Sequence, residues 1–399
     1  MTTPAPARAG SHVHSLFAIV GFLVCVEIAS GVLQGYYTPI FSDIADHLDI
    51  ADADVNWFEA SQLIVSAIVI APLARLGDIV GHKLILLVST AVTALGSWVL
   101  ALAPSFGVFL VGAALQGAYV VWLPIEVAII YRRTADTGRQ NLLTRRGAAV
   151  LVGALELAVI IGAVTSGALV TATSMTVLLM VPAIVVTAVF FVILFGIESM
   201  PGTSAGRLDL GGLAMLTVAL GLVMGGLITV RLQGAGSLLA WGLIVLGLAA
   251  VVPFTRYELA HDEPLVDIRL LRAPGQWPVQ LTAFLFGMSV LGAQIPLSTY
   301  ARTDPAEVGY GLGADAGFVT VLIVLYVITL ATGALLLPVA SRIFTARGAL
   351  IVAALLVALG YGLWVPFHAE TWQALLNMAI AGFGSGALVA ALPAAAAAA

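Results

Sequence analysis

Charge is what this sequence is shortest of. Of its 399 residues 9% are charged, where a soluble domain carries about 25%. Hydrophobic residues make up 61%, and the mean hydropathy is +1.09. A water-soluble fold of this composition lacks the polar side chains to cover its surface, which leaves the bilayer as the solvent. Lysine occurs once, at Lys83, beside fifteen arginines. In an Ala-, Gly- and Val-rich chain that bias points to a high-GC bacterial genome. The single cysteine, Cys25, excludes an internal disulfide. The six histidines are scattered: His12 and His14 lie near the N-terminus, and His47, His82, His261 and His368 stand alone. They argue for no metal site, and no cofactor is expected. Gly311-x-Gly313-x-x-Ala316 follows no strand and reads as a loop, not a dinucleotide cradle. No soluble domain and no interfacial cluster of His, Asp or Ser suggests an enzyme or a sensor, and no basic tract suggests a nucleic-acid partner.

What is present is a series of apolar runs long enough to cross a membrane, about 20 residues each. Twelve are predicted, over 16–39, 56–76, 84–103, 107–131, 147–171, 176–197, 210–230, 237–255, 276–300, 316–339, 349–367 and 373–396. The fold class is therefore an all-α polytopic membrane protein. Residues 1–15 are polar, and the run after them is too long for a leader and contains Glu27, so no cleavable signal is expected. With a cytoplasmic N-terminus, the inner side holds Arg8, Arg75, Lys83, Arg132, Arg133, Arg139, Arg145, Arg146, Arg207, Arg256, Arg269, Arg272, Arg342 and Arg347. Only Arg231 and Arg302 remain outside, a strong positive-inside asymmetry that points to the plasma membrane. The first outer loop is acidic instead, with Asp43, Asp46, Asp49, Asp52 and Asp54. Trp57, Trp98, Trp241, Trp364 and Trp372 fall near predicted outer ends, where interfacial anchors belong.

The chain echoes itself. Gly117-Ala118-x-Val120-x-x-Leu123-Pro124 in span four returns as Gly386-Ala387-x-Val389-x-x-Leu392-Pro393 in span twelve. The loop at 74–83 has a weaker echo at 340–348. Both place span nine in register with span one. The organisation expected is a cytoplasmic tail (1–15), a six-helix bundle (16–200), two intervening helices with an inner loop (201–275), and four helices of a second bundle (276–399). Parallel six-helix repeats are an architecture of secondary transporters. By this register the second bundle is two helices short, so the chain is expected to be C-terminally truncated. The rival is a complete twelve-helix protein whose second half begins at span seven; the loop at 256–277 would then have to resemble the one at 74–83, and it does not.

The loop Ala74-Arg75-Leu76-Gly77-Asp78-Ile79-Val80-Gly81-His82-Lys83 resembles the loop 2–3 signature of the major facilitator superfamily, Gly-x-Leu-Ala-Asp-Arg-x-Gly-Arg-Lys. Asp78, Gly81 and Lys83 match; Ala74, Ile79 and His82 replace a Gly and two Arg. Gly81 allows the tight turn, and Asp78 can meet helix-terminal amides and nearby cations. The resemblance implies a gating cluster that latches the outward-facing state, in which Arg75 takes part of the missing arginine's role. Span four, with Gln116-Gly117 and Pro124, resembles the family's fourth-helix motif, with Ala113 where an Arg usually stands. Gly162-Ala163-Val164-Thr165-Ser166-Gly167 is similar to the antiporter motif Gly-Pro-x-x-Gly-Gly. Glu258…Asp262-Glu263-Pro264-Leu265…Arg269-Leu270-Leu271-Arg272 resembles the loop after the eighth helix in the fourteen-helix drug:proton antiporter branch. A facilitator-type bundle, cut from fourteen helices to twelve, is what these likenesses imply.

Four carboxylates fall inside predicted spans: Glu27, Glu59, Glu126 and Glu156. An ionised carboxylate near the bilayer centre costs about 2.5–3.5 kcal/mol even on the lenient insertion scale. Such groups turn to a bundle interior, where a proton can bind and leave. Glu27, Glu126 and Glu156 are the candidates for proton coupling or the substrate cavity, and Glu126 and Glu156 are expected at comparable depth and close together. Gln116, Tyr119 and Trp122 are further cavity candidates; Glu59, near an outer end, reads as wet. The alternative for each carboxyl is a protonated group bonding a neighbouring helix. Gly221-x-x-x-Gly225 and Gly162-x-x-x-Ser166 permit close helix approach. No arginine lies deep in a span, so the usual carboxylate–arginine proton switch is absent in its usual form. The expected function is proton-coupled efflux of small drug-like compounds by a monomer in the bilayer. The alternatives are a uniporter or symporter of a metabolite, or an inactive truncated product.

Overall fold

A computed structural model describes residues 19–202 and 206–398. The predicted tail, 1–15, lies outside them. The described chain is all-helical, and its long helices follow the predicted spans: α1 (Leu23–Tyr36), α2 (Asn56–Val80), α3 (His82–Ala101), α4 (Phe106–Arg133), α5 (Gln140–Leu169) and α6 (Met175–Gly196), then α7 (Leu210–Gln233) and α8 (Leu238–Ala260), then α9 (Gln276–Arg302), α10 (Ala316–Leu337), α11 (Arg347–Gly362) and α12 (Thr371–Ala398). Among the described residues, nine helices are long and apolar enough to cross a membrane. The other three predicted spans fall on α1, α9 and α11. Helix α1 is 14 residues long because Pro39 enters a short turn, Thr38–Ile40, before the chain resumes as Phe41–His47. Helices α10 and α11 follow each other through a bend at Thr345, whose φ is 66°.

Two faces are defined by the connections. The arginine-rich face carries the α2–α3, α4–α5, α6–α7 and α8–α9 turns. The acidic face carries the α1–α2 loop. At the arginine-rich face Gly81 has φ +110°, a left-handed value that costs an L-residue energy and lets α3 start one residue after α2 ends.

Helix α4 is not continuous. Gly117–Val121 is wound as a 3-10 segment between two α-helical stretches. Pro124 explains the position: it cannot donate an amide to the residue four before it, so the preceding turn tightens instead. The carbonyl of Gly117 is left to accept a bond from Ser66 Oγ of α2 (2.9 Å). Gly117 also lies so close to α2 that a Cβ there would meet the carbonyl of Gln62 and the amide of Ser66.

The internal echo has a packing counterpart. A Cβ on Gly386 of α12 would meet the carbonyl of Leu330 and the amide of Ala334 of α10, again an i, i+4 pair on one helix. Gly112 packs on Gly96 of α3, and Ala381, five residues before Gly386, packs on Gly360 of α11. Thus α2–α3–α4 and α10–α11–α12 share one contact scheme.

Helices α7 and α8 pack chiefly on each other, and α7 also touches α2. Bonds between α1–α6 and α9–α12 cluster toward the acidic face. Ser298 Oγ donates to the Thr38 carbonyl (2.6 Å), Arg302 pairs with Asp43 (3.0 Å), and Thr320 Oγ1 donates to the Ala163 carbonyl (3.2 Å).

Candidate functional site

Among the described residues a central cavity of ≈ 200 Å³ opens between α1 and α5 on one side and α9–α12 on the other. Its polar groups are few: Gln34, Thr38, Glu156, Ser298, Tyr326 and Tyr361. Val159, Leu322 and Val327 are among its apolar walls. A smaller space, ≈ 80 Å³, is a side chamber within α1–α4, lined by Glu59, Gln62, Tyr119, Gln116, Tyr37 and several phenylalanines. Gln34 and Thr38 line both, so the two spaces adjoin there.

The candidate residues of α4 gather around its break. Gln116 Nε2, buried, donates to Tyr37 OH (3.0 Å) and Ser97 Oγ (2.9 Å). Trp122, fully buried, donates to Ser89 Oγ (3.1 Å), and Tyr119 stacks edge-on against it with ring centroids 5.9 Å apart. Trp122 is thus a tie between α4 and α3 and does not line either space. Tyr119 reaches the side chamber and lies within electrostatic range of both Glu27 and Glu59.

Glu27 and Glu126 are both 0% exposed, and neither carboxyl has a bond from a surrounding donor. They lie against each other, within hydrogen-bonding reach. Two ionised carboxylates so placed in an apolar interior repel without compensation, whereas one proton between them satisfies an oxygen of each. The partner of Glu126 is therefore Glu27, and Glu156 stands apart, facing the central cavity. The sequence expectation compared helix depth and overlooked rotation: residues at similar depth on two helices meet only if they point the same way.

The loop 2–3 residues sit on their own half. Lys83 Nζ donates to the Leu194 carbonyl (2.9 Å), His82 approaches Asp78 (3.3 Å), and Gly81 and Gly202 bring the α2–α3 turn against the segment after α6. Arg75 reaches Glu263 (3.4 Å) in the α8–α9 connection. The α5 motif is divided between two neighbours: Gly162 packs on α1 at Val32 and Tyr36, Gly167 faces Thr320 of α10, and Ser166 bonds back to Ala163 within its own helix (3.2 Å).

Sequence reasoning missed the polar wall formed by α10–α12. Tyr326, Tyr361 and Ser385 converge there from α10, α11 and α12. Lone hydroxyls in apolar runs were the available signal, and they do not stand out from the other tyrosines and serines. Ser298 was overlooked for the same reason, and Gln34 as a lone amide in an apolar run.

The match to known proteins follows this architecture. A family model for the Major Facilitator Superfamily matches residues 23–399. The chain is 23% identical over 317 residues to the uridine/deoxyuridine transporter of Lactococcus lactis subsp. cremoris (strain MG1363), covering 78% of this chain and 65% of that protein. It is 24% identical over 326 residues to the tetracenomycin C resistance and export protein of Streptomyces glaucescens (78% and 57%), and 30% identical over 342 residues to the cephamycin export protein CmcT of Amycolatopsis lactamdurans (83% and 65%). The matches thus span less than two thirds of each relative's length. Among solved structures, the POT family transporter PepTSo superposes with TM-score 0.63 at 14% identity, over 95% of this chain and 83% of that one, which speaks to the fold alone. With the helices, the repeat and a family match over residues 23–399 in agreement, the chain belongs to the Major Facilitator Superfamily.

Proposed function

We propose that this protein is a proton-coupled exporter of small drug-like compounds working by alternating access. The observation that carries the reading is the division of its membrane carboxyls. Glu156 faces a cavity between the two bundles, while Glu27 and Glu126 form a sealed pair inside the first. A proton held by the pair and a solute held in the cavity occupy different places, and in this reading α1, which carries Glu27 and lines the cavity at Gln34, couples the two. Two of the relatives are named for export of tetracenomycin C and cephamycin. In this reading the arginine-rich face is cytoplasmic, the N-terminus lies on that side, and the protein acts as a monomer in the plasma membrane. Residues 16–200 and 276–399 are the moving bundles, with 201–275 inserted between them. Contacts gathered at the acidic face correspond to the inward-facing state, with the loop around Asp78, Gly81 and Lys83 resting on its own half.

The experiment is flux in proteoliposomes with an imposed pH gradient, using a panel of lipophilic drugs. Uptake or release that follows the gradient, and stops when it is dissipated, is the expected outcome. Transport indifferent to the gradient would sink proton coupling. A second reading, uniport or symport of a metabolite, draws on the uridine/deoxyuridine transporter among the relatives; radiolabelled uridine in the same assay separates the two.

A further inference from the structure

The side chamber has a composition of its own. Five of its walls are aromatic: Tyr37, Phe41, Phe58, Phe109 and Tyr119. Phe58 and Phe109 meet at 4.2 Å between ring centroids, which fixes that wall. One lining residue is charged, Glu59, and none is basic. The Glu59 carboxyl has neither an ion pair nor a hydrogen bond among the described residues. Nearby Arg231, which lies over the Phe106 ring, is already committed to Asp54. An aromatic enclosure with one uncompensated carboxylate is the environment that favours an organic cation, because ring faces and carboxylate attract the same positive charge. At ≈ 80 Å³ the chamber is less than half the size of the ≈ 200 Å³ central cavity, so it suits a head group and not a whole drug. At Gln34 and Thr38 the chamber adjoins the larger, mostly apolar cavity.

We propose that this chamber is an ammonium-binding subsite: Glu59 and the surrounding aromatic rings take the charged head of a small cationic amphiphile, and its apolar body extends past Gln34 and Thr38 into the central cavity. The proposal rests on the reading of the chain as a transporter of small compounds and names the class it takes. It also gives Glu59 a part that its place near a helix end did not suggest.

The test is equilibrium binding of radiolabelled choline to the full chain in lipid nanodiscs, with no gradient, against its neutral isostere 3,3-dimethylbutan-1-ol. Saturable choline binding that the alcohol fails to displace at about tenfold excess is expected. Glu59→Gln should weaken binding at least about tenfold, Tyr119→Leu should weaken it also, and Glu59→Asp should retain most of it. No saturable binding by the folded wild type, equal displacement by the alcohol, or unchanged binding by a monodisperse E59Q protein would each overturn the proposal. Because no gradient is present, intact choline binding alongside gradient-independent flux would remove proton coupling and leave the subsite standing.

Discussion

Arg302, in the last turn of α9, pairs with Asp43, in the short helix after α1, at 3.0 Å. The second arginine predicted outside, Arg231, is likewise bound to an aspartate of the same loop, Asp54, through Arg231 Nε at 2.6 Å. Of the two, Arg302–Asp43 joins the first bundle to α9–α12. A partly exposed pair of this kind is worth about 1 kcal/mol or less. Breaking it with Asp43→Asn should therefore shift the closed state by at most about fivefold. In a Cys25→Ser background, a cysteine at Val159 should react faster with a membrane-impermeant maleimide added from the acidic face. The charge swap D43R/R302D should restore protection. Equal rates in all three proteins would show that the pair does not hold this face shut.

The buried pair yields a double-mutant cycle. Replacing Glu27 or Glu126 alone by Leu leaves the other carboxyl buried without a partner, at about 1–3 kcal/mol. The double replacement removes both polar groups and should cost less than the two single losses added together. Thermal unfolding in detergent measures stability, and gradient-driven flux should be lost in all three variants. Additive destabilisation would mean that the two carboxyls do not interact.

The shared packing scheme predicts matched sensitivity. Gly117→Val and Gly386→Val each drive a side chain into the backbone of the neighbouring helix, α2 or α10, and overpacking costs about 1–3 kcal/mol. Both should lower the melting temperature. Gly221→Ala should not, since nothing lies within 4 Å of a Cβ there. A Gly386 variant as stable as wild type would break the equivalence.

Outside the membrane, acid should undo one contact first. Arg133 grips Glu198 with both arms, at 2.5 and 2.6 Å. That hydrogen-bonded guanidinium holds the Glu198 carboxyl below its ordinary value of 4.5. A lowered folded-state value means the pair contributes fully above pH 4.5 and ceases to contribute as pH falls through the lowered value. The melting-temperature gap between wild type and Glu198→Gln should be constant at neutral pH and close only below pH 4.5. A gap that closes above that value would assign the stabilisation to another group.

Much of this protein could be read from the chain because the bilayer imposes a simple rule, that each crossing must be a helix with apolar flanks. The places of the long helices and the α2–α3 turn followed from that rule and from the resemblance at Asp78, Gly81 and Lys83, while nine of the twelve predicted spans are helices long and apolar enough to cross among the described residues. The pairing of carboxyls did not. Glu27, Glu126 and Glu156 were all visible as expensive residues, yet which two meet depends on how α1, α4 and α5 are rotated, and on a helix break at residues 117–121. The aromatic surroundings of Glu59 were not legible either, because depth along a helix says nothing about the residues that other helices bring beside it.

The α7–α8 hairpin is tied to α2 at both faces of the membrane. Arg231 of α7 holds Asp54, just ahead of α2, at one end, and Arg75 of α2 holds Glu263, just beyond α8, at the other. Chain connectivity puts this hairpin between α1–α6 and α9–α12, but its two ion pairs to other helices among the described residues both go to the α2 side. In the alternating-access reading the hairpin would therefore ride as cargo of that bundle. The slack for any rocking would come from the chain beyond Glu263, at 264–275, which would act as the hinge strap of the molecule.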